Sequence, residues 1–325
     1  NLGHACAWKV NPLVVWWNHM WTSFQMGWAF GVPMMERLQV QSRSPFEIHQ
    51  ILTGLRYTPQ ITIDAELYLP EGEGPFGCVV AHHGSKGWAT HHSDHIENWI
   101  DAGLSVCKVN SFASRGIDST VDDQLSVTHA MMLVDAFSTR SVLSRDPRIG
   151  KIGIAGWSLG GTVALYSAWS PIVDILGSNF DAHLPFYPAA HIRPEIQNWS
   201  DSPILILHGD VDDWTPIHLV EELITQLPNA TLHSYPGAHH GFDSEKELTL
   251  LPKAVRLRKR TARINKDGHM SGELLPGIRF PLNERWQRKW VIRLLRNRGA
   301  HVQGNASARA DSLERAKNFF LEHLF

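Results

Sequence analysis

Ile61–Leu69 alternates apolar and polar residues, the pattern of a strand with one buried and one solvated face. Phe76–Ala81 runs apolar without alternation, which predicts a strand covered on both faces. Leu104–Val109, Lys151–Ala155 and Ile204–Leu207 are short runs of the same kind, and Pro70–Pro75 is a turn cluster. Helical stretches fall between them, at Ser93–Asp101, Val121–Leu143, Thr162–Ala168 and Ile217–Leu227, the last preceded by Pro216 at a favourable first position. Strands alternating with helices predict an α/β fold, a mostly parallel central sheet with helices on both faces.

That rhythm breaks over about residues 251–310. Asp267-Gly268 between alternating residues predicts a hairpin, and Leu282–Asn297 reads as a basic helix. A basic hairpin/helix insertion is therefore expected before the closing helix, Ser307–Leu324. That helix has Ser307 as candidate cap and Leu313, Ala316, Phe320 and Leu324 on one face. The main domain is expected over residues 36–325. Residues 1–35 stand apart: Val10–Met35 has no Asp, Glu, Lys or Arg and carries Trp16, Trp17, Trp21 and Trp28. Asn11-Pro12, Asn18-His19, Gln25 and Pro33 interrupt it, leaving no clean apolar run of about 18 residues. It reads equally as an arm on the domain, a membrane-surface anchor or a signal remnant.

A chain of 325 residues, 43% hydrophobic and 19% charged, suits one large α/β domain with an accessory segment. Cys6, Cys78 and Cys107 make no disulfide framework and no zinc spacing. This favours a reducing, cytoplasmic setting, with export or membrane association through residues 1–35 as the alternative. The net charge of −2 hides an asymmetry, since residues 253–300 hold 14 Lys/Arg and 3 Asp/Glu. Such a segment meets an anionic partner or pairs with the acidic remainder, and internal pairing is the expectation. No nucleic-acid partner is expected, and nothing in the pattern bears on oligomeric state.

Gly156-Trp157-Ser158-Leu159-Gly160-Gly161 lies between a buried strand and a helix. A Gly-x-Ser-x-Gly turn there lifts the Ser158 hydroxyl to the carboxyl edge of the sheet, where open α/β folds bind ligands. A serine nucleophile needs a base, and the base an orienting acid. Asp210, Asp212 and Asp213 follow the strand Ile204–Leu207, with Asp212 favoured by its place between Gly209 and Pro216. His239 and His240 follow a later short strand, with His240, directly before Gly241-Phe242, favoured as base. Oxyanion donors are expected from the backbone N–H of Leu159 and of Ser85, in the loop shaped by His82 and His83. His91, His92, Asp94 and His95 could hold zinc, but Ser93 or Asp94 more simply caps a helix there, and no metal is expected.

Five motifs occur in order: His-Gly-Ser-x-Gly at 83–87, Asn110–Gly116, Gly-Trp-Ser-Leu-Gly-Gly at 156–161, His-Gly-x-x-Asp-Asp-Trp-Thr-Pro at 208–216 and Tyr-Pro-Gly-Ala-His-His-Gly-Phe at 235–242. Together they resemble the dienelactone hydrolase family from about residue 36 onward. The resemblance implies an α/β-hydrolase fold acting on a small-molecule ester or lactone without a cofactor. The family proper uses a cysteine nucleophile controlled by a nearby acid; Ser158 and His82-His83-Gly84 stand at those places, which is similar to its serine-bearing branch. Arg115 matches an arginine region that can meet a substrate carboxylate in the family, but a structural salt bridge below the site is the favoured reading. Trp88, Trp157 and Trp214 flank motif residues and are candidate pocket walls. The expected reaction is cleavage of carboxylic esters or lactones through an acyl-enzyme. The alternatives are small-peptide hydrolysis of the prolyl-oligopeptidase type and a non-catalytic binding protein.

Overall fold

Along the unalternated apolar runs, successive side chains bury on opposite faces of one sheet, and this creates two cores. A computed structural model describes residues 34–257, 261–275, 277–295 and 297–325. The Trp-rich segment expected over residues 1–35 lies, up to Pro33, outside the described residues.

The strands are β1 (Met34–Arg43), β2 (Gln60–Leu69), β3 (Phe76–His82), β4 (Ser105–Val109), β5 (Ile149–Trp157), β6 (His183–Phe186), β7 (Ile192–Pro194), β8 (Ile204–Gly209), β9 (Ala230–Tyr235), β10 (Thr249–Arg256), β11 (Ala262–Ile264), β12 (Met270–Leu275), β13 (Ile278–Pro281) and β14 (Asn297–Val302). The helices are α1 (Ile48–Gly54), α2 (Thr90–Asp101), α3 (His129–Leu143), α4 (Leu159–Tyr166), α5 (Ser170–Leu176), α6 (Ile217–Ile224), α7 (Arg285–Leu295) and α8 (Ala306–Leu324).

An eight-stranded sheet runs in the order β1-β2-β4-β3-β5-β6-β8-β9. The β1–β2 and β2–β4 pairs are antiparallel and the other neighbours parallel. Cys78, Val80, Ile152, Ile154, Ile204 and Ile206 face one core, closed by α3, α4 and α6. Their neighbours Val79, Ala81, Ala155, Leu205 and Leu207 face the other, closed by α2 and α8 through Ile96, Trp99, Ala316, Phe320 and Leu324. The mostly parallel sheet is the one the pattern predicts, and the fold is that of an α/β-hydrolase, as the resemblance implies.

Several local expectations are corrected. α2 starts at Thr90, so Ser93 and Asp94 lie inside it and do not cap it. α3 starts at His129, eight residues after the expected Val121, because Thr128 caps it by accepting from Met131 N–H. Asn305, whose side chain accepts from Ala308 N–H, caps α8 in place of Ser307. β1 and β6 carry no clear sequence signal; β6 is four residues long, and β1 mixes Glu36, Arg37, Gln39 and Gln41 with apolar residues.

Between β9 and α8 the chain forms a separate layer. β11 and β12 make the hairpin expected at Asp267-Gly268 and belong to a small sheet ordered β13-β12-β11-β7. β7 comes from the main body and pairs parallel with β11, which fastens this layer to the domain. β10 and β14 form a second antiparallel pair.

β5 passes into α4 through Ser158, whose φ is 55°. A Cβ on Gly156 would overlap the carbonyl of Gly160, and one on Gly160 the carbonyls of His82 and His83. The turn thus requires backbone to lie on backbone. Gly160→Ala is accordingly expected to cost more than about 3 kcal/mol or to displace Ser158 from the turn. Urea unfolding at wild-type midpoint with an unaltered crystal structure would refute this.

Candidate active site

Ser158 sits at the carboxyl edge of the sheet, and the loops after β8 and β9 bring two further side chains to it. His240 Nε2 lies 2.9 Å from Ser158 Oγ and His240 Nδ1 lies 2.7 Å from Asp212 Oδ2. A carboxylate only accepts, so Nδ1 carries the proton and Nε2 is free to accept from the serine hydroxyl. Asp212 is fully determined by its loop: Oδ1 accepts from the N–H groups of Trp214 (2.8 Å) and Thr215 (2.9 Å), and Oδ2 also accepts from Thr215 Oγ1 (2.8 Å). Burial alone would raise its pKa. The His240 imidazole, His208 and the Thr215 backbone outweigh that and hold the carboxyl below its ordinary range.

The competing residues have other partners. Asp210 accepts from Gly237 N–H, and Asp213 pairs with Arg256 (2.6 Å) and His301 (2.9 Å). His239 approaches His301 instead of Ser158, their rings 6.0 Å apart. Leu159, the first residue of α4, has an N–H with no intrahelical acceptor. Ser85 is buried and shares two cavities with Ser158. His83 Nδ1 contacts the Gly84 carbonyl at 3.0 Å, consistent with shaping this loop, whereas neither nitrogen of the buried His82 has a partner.

The two cavities, each about 250 Å³, meet at Ser158. The first is largely apolar: Leu159 and Ile192 belong to the main body, and Met270, Leu282, Val291 and Ile292 to the layer between β9 and α8. Arg288 of α7 is its buried charge, 3.5 Å from Glu47. Burial pushes the Arg288 pKa down to about 10, against the pull of Glu47, and raises Glu47 to about 7. The second cavity is more polar, with Lys86, His91, Lys246 and His240 in its wall. Burial, then repulsion from Lys246, lowers the Lys86 pKa.

Trp88 lines the second cavity and Trp214 both; Trp214 lies 4.8 Å from the His240 ring. Trp157 reaches the second cavity but is fully buried and donates its indole N–H to Asp243 (2.9 Å), so it is chiefly core behind the site. Arg115 lines neither cavity. It makes a bidentate pair with the buried Asp135, at 2.7 and 3.0 Å, and donates to the Ser111 carbonyl, so its guanidinium is engaged in a salt bridge away from Ser158.

Sequence reasoning missed three residues. Tyr187, strained at φ 36°, packs its ring 4.7 Å from His240 and donates its hydroxyl to Asp243 (2.9 Å). Burial and then Asp243 push its phenol pKa far up, so it remains a donor. Thr215 donates its hydroxyl to Asp212, with the Tyr187 carbonyl 3.2 Å away as a competing acceptor. Asp243 is fully buried between Trp157, Tyr187 and His95. Burial would raise its pKa, but the facing His91 and His95 hold it below the carboxylate range. Its place directly after Gly241-Phe242 was the available signal.

His91 and His95 of α2 therefore face a carboxylate, His92 accepts from the Ala89 N–H at 3.1 Å, and Asp94 pairs with Arg309 at 2.7 Å. Among the described residues, His49, Asp267 and His269 do converge. The His49 and His269 rings stack at 3.6 Å and 15°, which keeps their nitrogen lone pairs in near-parallel planes and does not aim them at one point.

The profile of the dienelactone hydrolase family matches residues 63–263. No curated protein matches the chain in sequence. In shape the chain is similar to P91, a dienelactone hydrolase-like promiscuous phosphotriesterase from metagenomic libraries, with 15% identity and a TM-score of 0.53 over 90% of this chain and 99% of that one. It is also similar to a putative dienelactone hydrolase from Klebsiella pneumoniae (19% identity, TM-score 0.48, 65% of this chain and 89% of that one). A third similar structure is Est1E from Butyrivibrio proteoclasticus (20% identity, TM-score 0.43, 55% and 86%).

Two outcomes follow from this electrostatics. Arg115→Met strands the buried Asp135 and should cost about 3 kcal/mol in urea unfolding; a loss under about 0.5 kcal/mol would show the pair to be dispensable. Burial holds His82 and His129 down to about 3 and His183 to about 4. The unfolded chain takes up these protons near pH 6.5, so the stability they contribute is full above 6.5 and is lost as pH falls towards 4. Each should cost up to about 1.4 kcal/mol per pH unit below 6.5. A urea midpoint that stays flat from pH 7 to 4.5 would contradict it.

Proposed function

The chain belongs to the dienelactone hydrolase family, and from that membership and the Ser158–His240–Asp212 line we propose that it cleaves carboxylic esters or lactones through an acyl-enzyme on Ser158. The observation that carries the reading is the pair of contacts on one imidazole, 2.9 Å to a hydroxyl and 2.7 Å to a buried carboxylate.

Ser158 Oγ attacks the carbonyl carbon as its proton passes to His240 Nε2. Asp212 stabilises the imidazolium and keeps its Nδ1–H aimed inward. The carbonyl oxygen, now anionic, accepts from the N–H groups of Leu159 and Ser85. The tetrahedral intermediate collapses, the bond to the leaving oxygen breaks, and His240 returns its proton there. Water then attacks the acyl group with His240 again as base, releasing the acid and restoring the serine hydroxyl. The apolar cavity suits the hydrocarbon part of the substrate, and the lysine-bearing one its more polar part.

Ser158→Ala should lower kcat for a p-nitrophenyl ester by about 10⁶-fold with its melting temperature unchanged. A fluorophosphonate probe should label wild-type Ser158 and leave the variant unmodified. Near-normal turnover by Ser158→Ala, or labelling at another serine, would sink the assignment. Hydrolysis of aminoacyl amides in preference to matched esters would favour the small-peptide alternative.

A further inference from the structure

Helix α7 carries a pattern that neither the fold nor the proposed chemistry uses. From Arg285 to Leu295 it contains no acidic residue. Helical spacing divides it into two faces. Arg288 and Val291 are buried and line the apolar cavity together with Ile292. On the other side Trp286 is 64% exposed, Trp290 48% and Leu294 59%, one apolar residue per turn. Arg285, Lys289 and Arg293 run beside them, one exposed base per turn. β13 widens the surface with Ile278, 57% exposed, and Arg279, while Phe280 packs its ring 5.1 Å from Trp290. Scattered exposed apolar residues are ordinary, but a contiguous aromatic stripe is a contact surface.

The charges choose its occupant. We infer that the outer face of α7, with β13, docks on the anionic headgroup surface of a lipid bilayer. Indole rings settle at the boundary between headgroups and acyl chains, and arginine and lysine beside them are drawn to anionic headgroups. Asp123 faces this row, 3.1 Å from Arg285 and 3.9 Å from Lys289, but these exposed pairs are weak. Glu284 lies exposed just ahead of the helix, and Arg279 and Arg293 make no ion pair among the described residues. A second copy related by two-fold symmetry would bring two rows of bases together, which disfavours self-association. No helix among the described residues is long and apolar enough to cross a membrane, so α7 would lie on the surface. Its inner face would then hold the apolar cavity within a helix diameter, about 10 Å, of the lipid.

Flotation of the full chain tests this, using vesicles of phosphatidylcholine alone and of phosphatidylcholine mixed with phosphatidylserine. The chain should float with the mixed vesicles at least about tenfold better than with the neutral ones, and lose that advantage in high salt. W286S/W290S/L294S should keep its melting temperature and lose at least about tenfold in vesicle binding; R279Q/R293Q should lose the preference for anionic lipid. The inference is overturned if the wild type does not float, or if the triple variant floats equally well, which would assign binding elsewhere, such as residues 1–35. It is also overturned if sedimentation shows a dimer that the triple variant dissolves, or if that variant's melting temperature falls, since the stripe would then be covered by protein.

Discussion

A serine held at φ 55° stays there only where its surroundings over-determine it, and at Ser158 they do. Its N–H donates to the Phe186 carbonyl at 3.0 Å, and its own carbonyl accepts from the N–H and hydroxyl of Thr162 at 2.8 and 3.1 Å. α4 is pressed against β3, β5 and β6 through Gly156, Gly160 and Gly161, so the turn cannot relax outward without separating helix from sheet. The stabilisation of the strained residue therefore comes from the sheet itself. Strand order matters for the same reason: β3 and β6 flank β5, and they supply the carbonyls against which the glycines rest.

Two buried carboxylates lie near this turn and remain ionised by different means. Asp212 is satisfied by the start of its own loop and turns one oxygen to His240. Asp243 is satisfied by groups from three separate parts of the chain: Trp157 of β5, Tyr187 just after β6, and His91 and His95 of α2 behind them. Tyr187 ties the two together, since its ring packs on His240, its hydroxyl donates to Asp243, and its carbonyl lies 3.2 Å from the Thr215 hydroxyl that donates to Asp212. A displacement of any one member would leave a buried charge short of donors, so the imidazole orientation is enforced from both sides.

The parts legible in the sequence are those that depend on neighbours in the chain. Doubly buried strands show as continuous apolar runs, and β3, β4, β5 and β8 were found that way. The serine turn, the acid loop and the His-His-Gly-Phe loop each carry their own glycine and proline spacing. The geometry then separates Asp212 from Asp210 and Asp213, because what differs among them is a partner distant in sequence: His240, Gly237 or Arg256. Asp243 and Tyr187 escaped notice for the same reason, as their partners come from α2, β5 and β6. β6 is too short for periodicity, and β1 is polar along an edge. Arg115 is a case of the same kind: its motif leaves a substrate or a salt-bridge role open, and its partner Asp135 lies on a helix with no motif.

The basic segment poses a related question, of what its charge does once folded. Lys253 meets Asp122, Arg256 meets Asp213, and Arg285 and Lys289 meet Asp123, so internal pairing accounts for much of the asymmetry. The pairs to Asp122 and Asp123 lie at the surface and are worth too little to hold a layer in place. What fastens it is backbone pairing of β11 with β7, and burial of Ile264, Met270, Leu282 and Val291 in the main core. The charges are then left to set register and surface character. Among the described residues of the basic segment, the one buried pair is Arg288 with Glu47, and there desolvation pushes Glu47 to about 7. Charge enters the apolar cavity from this layer at that pair, beside the helix whose outer face is aromatic and basic. One helix thereby separates two environments, and its sequence can be read only by assigning the two sides of each turn to one or the other.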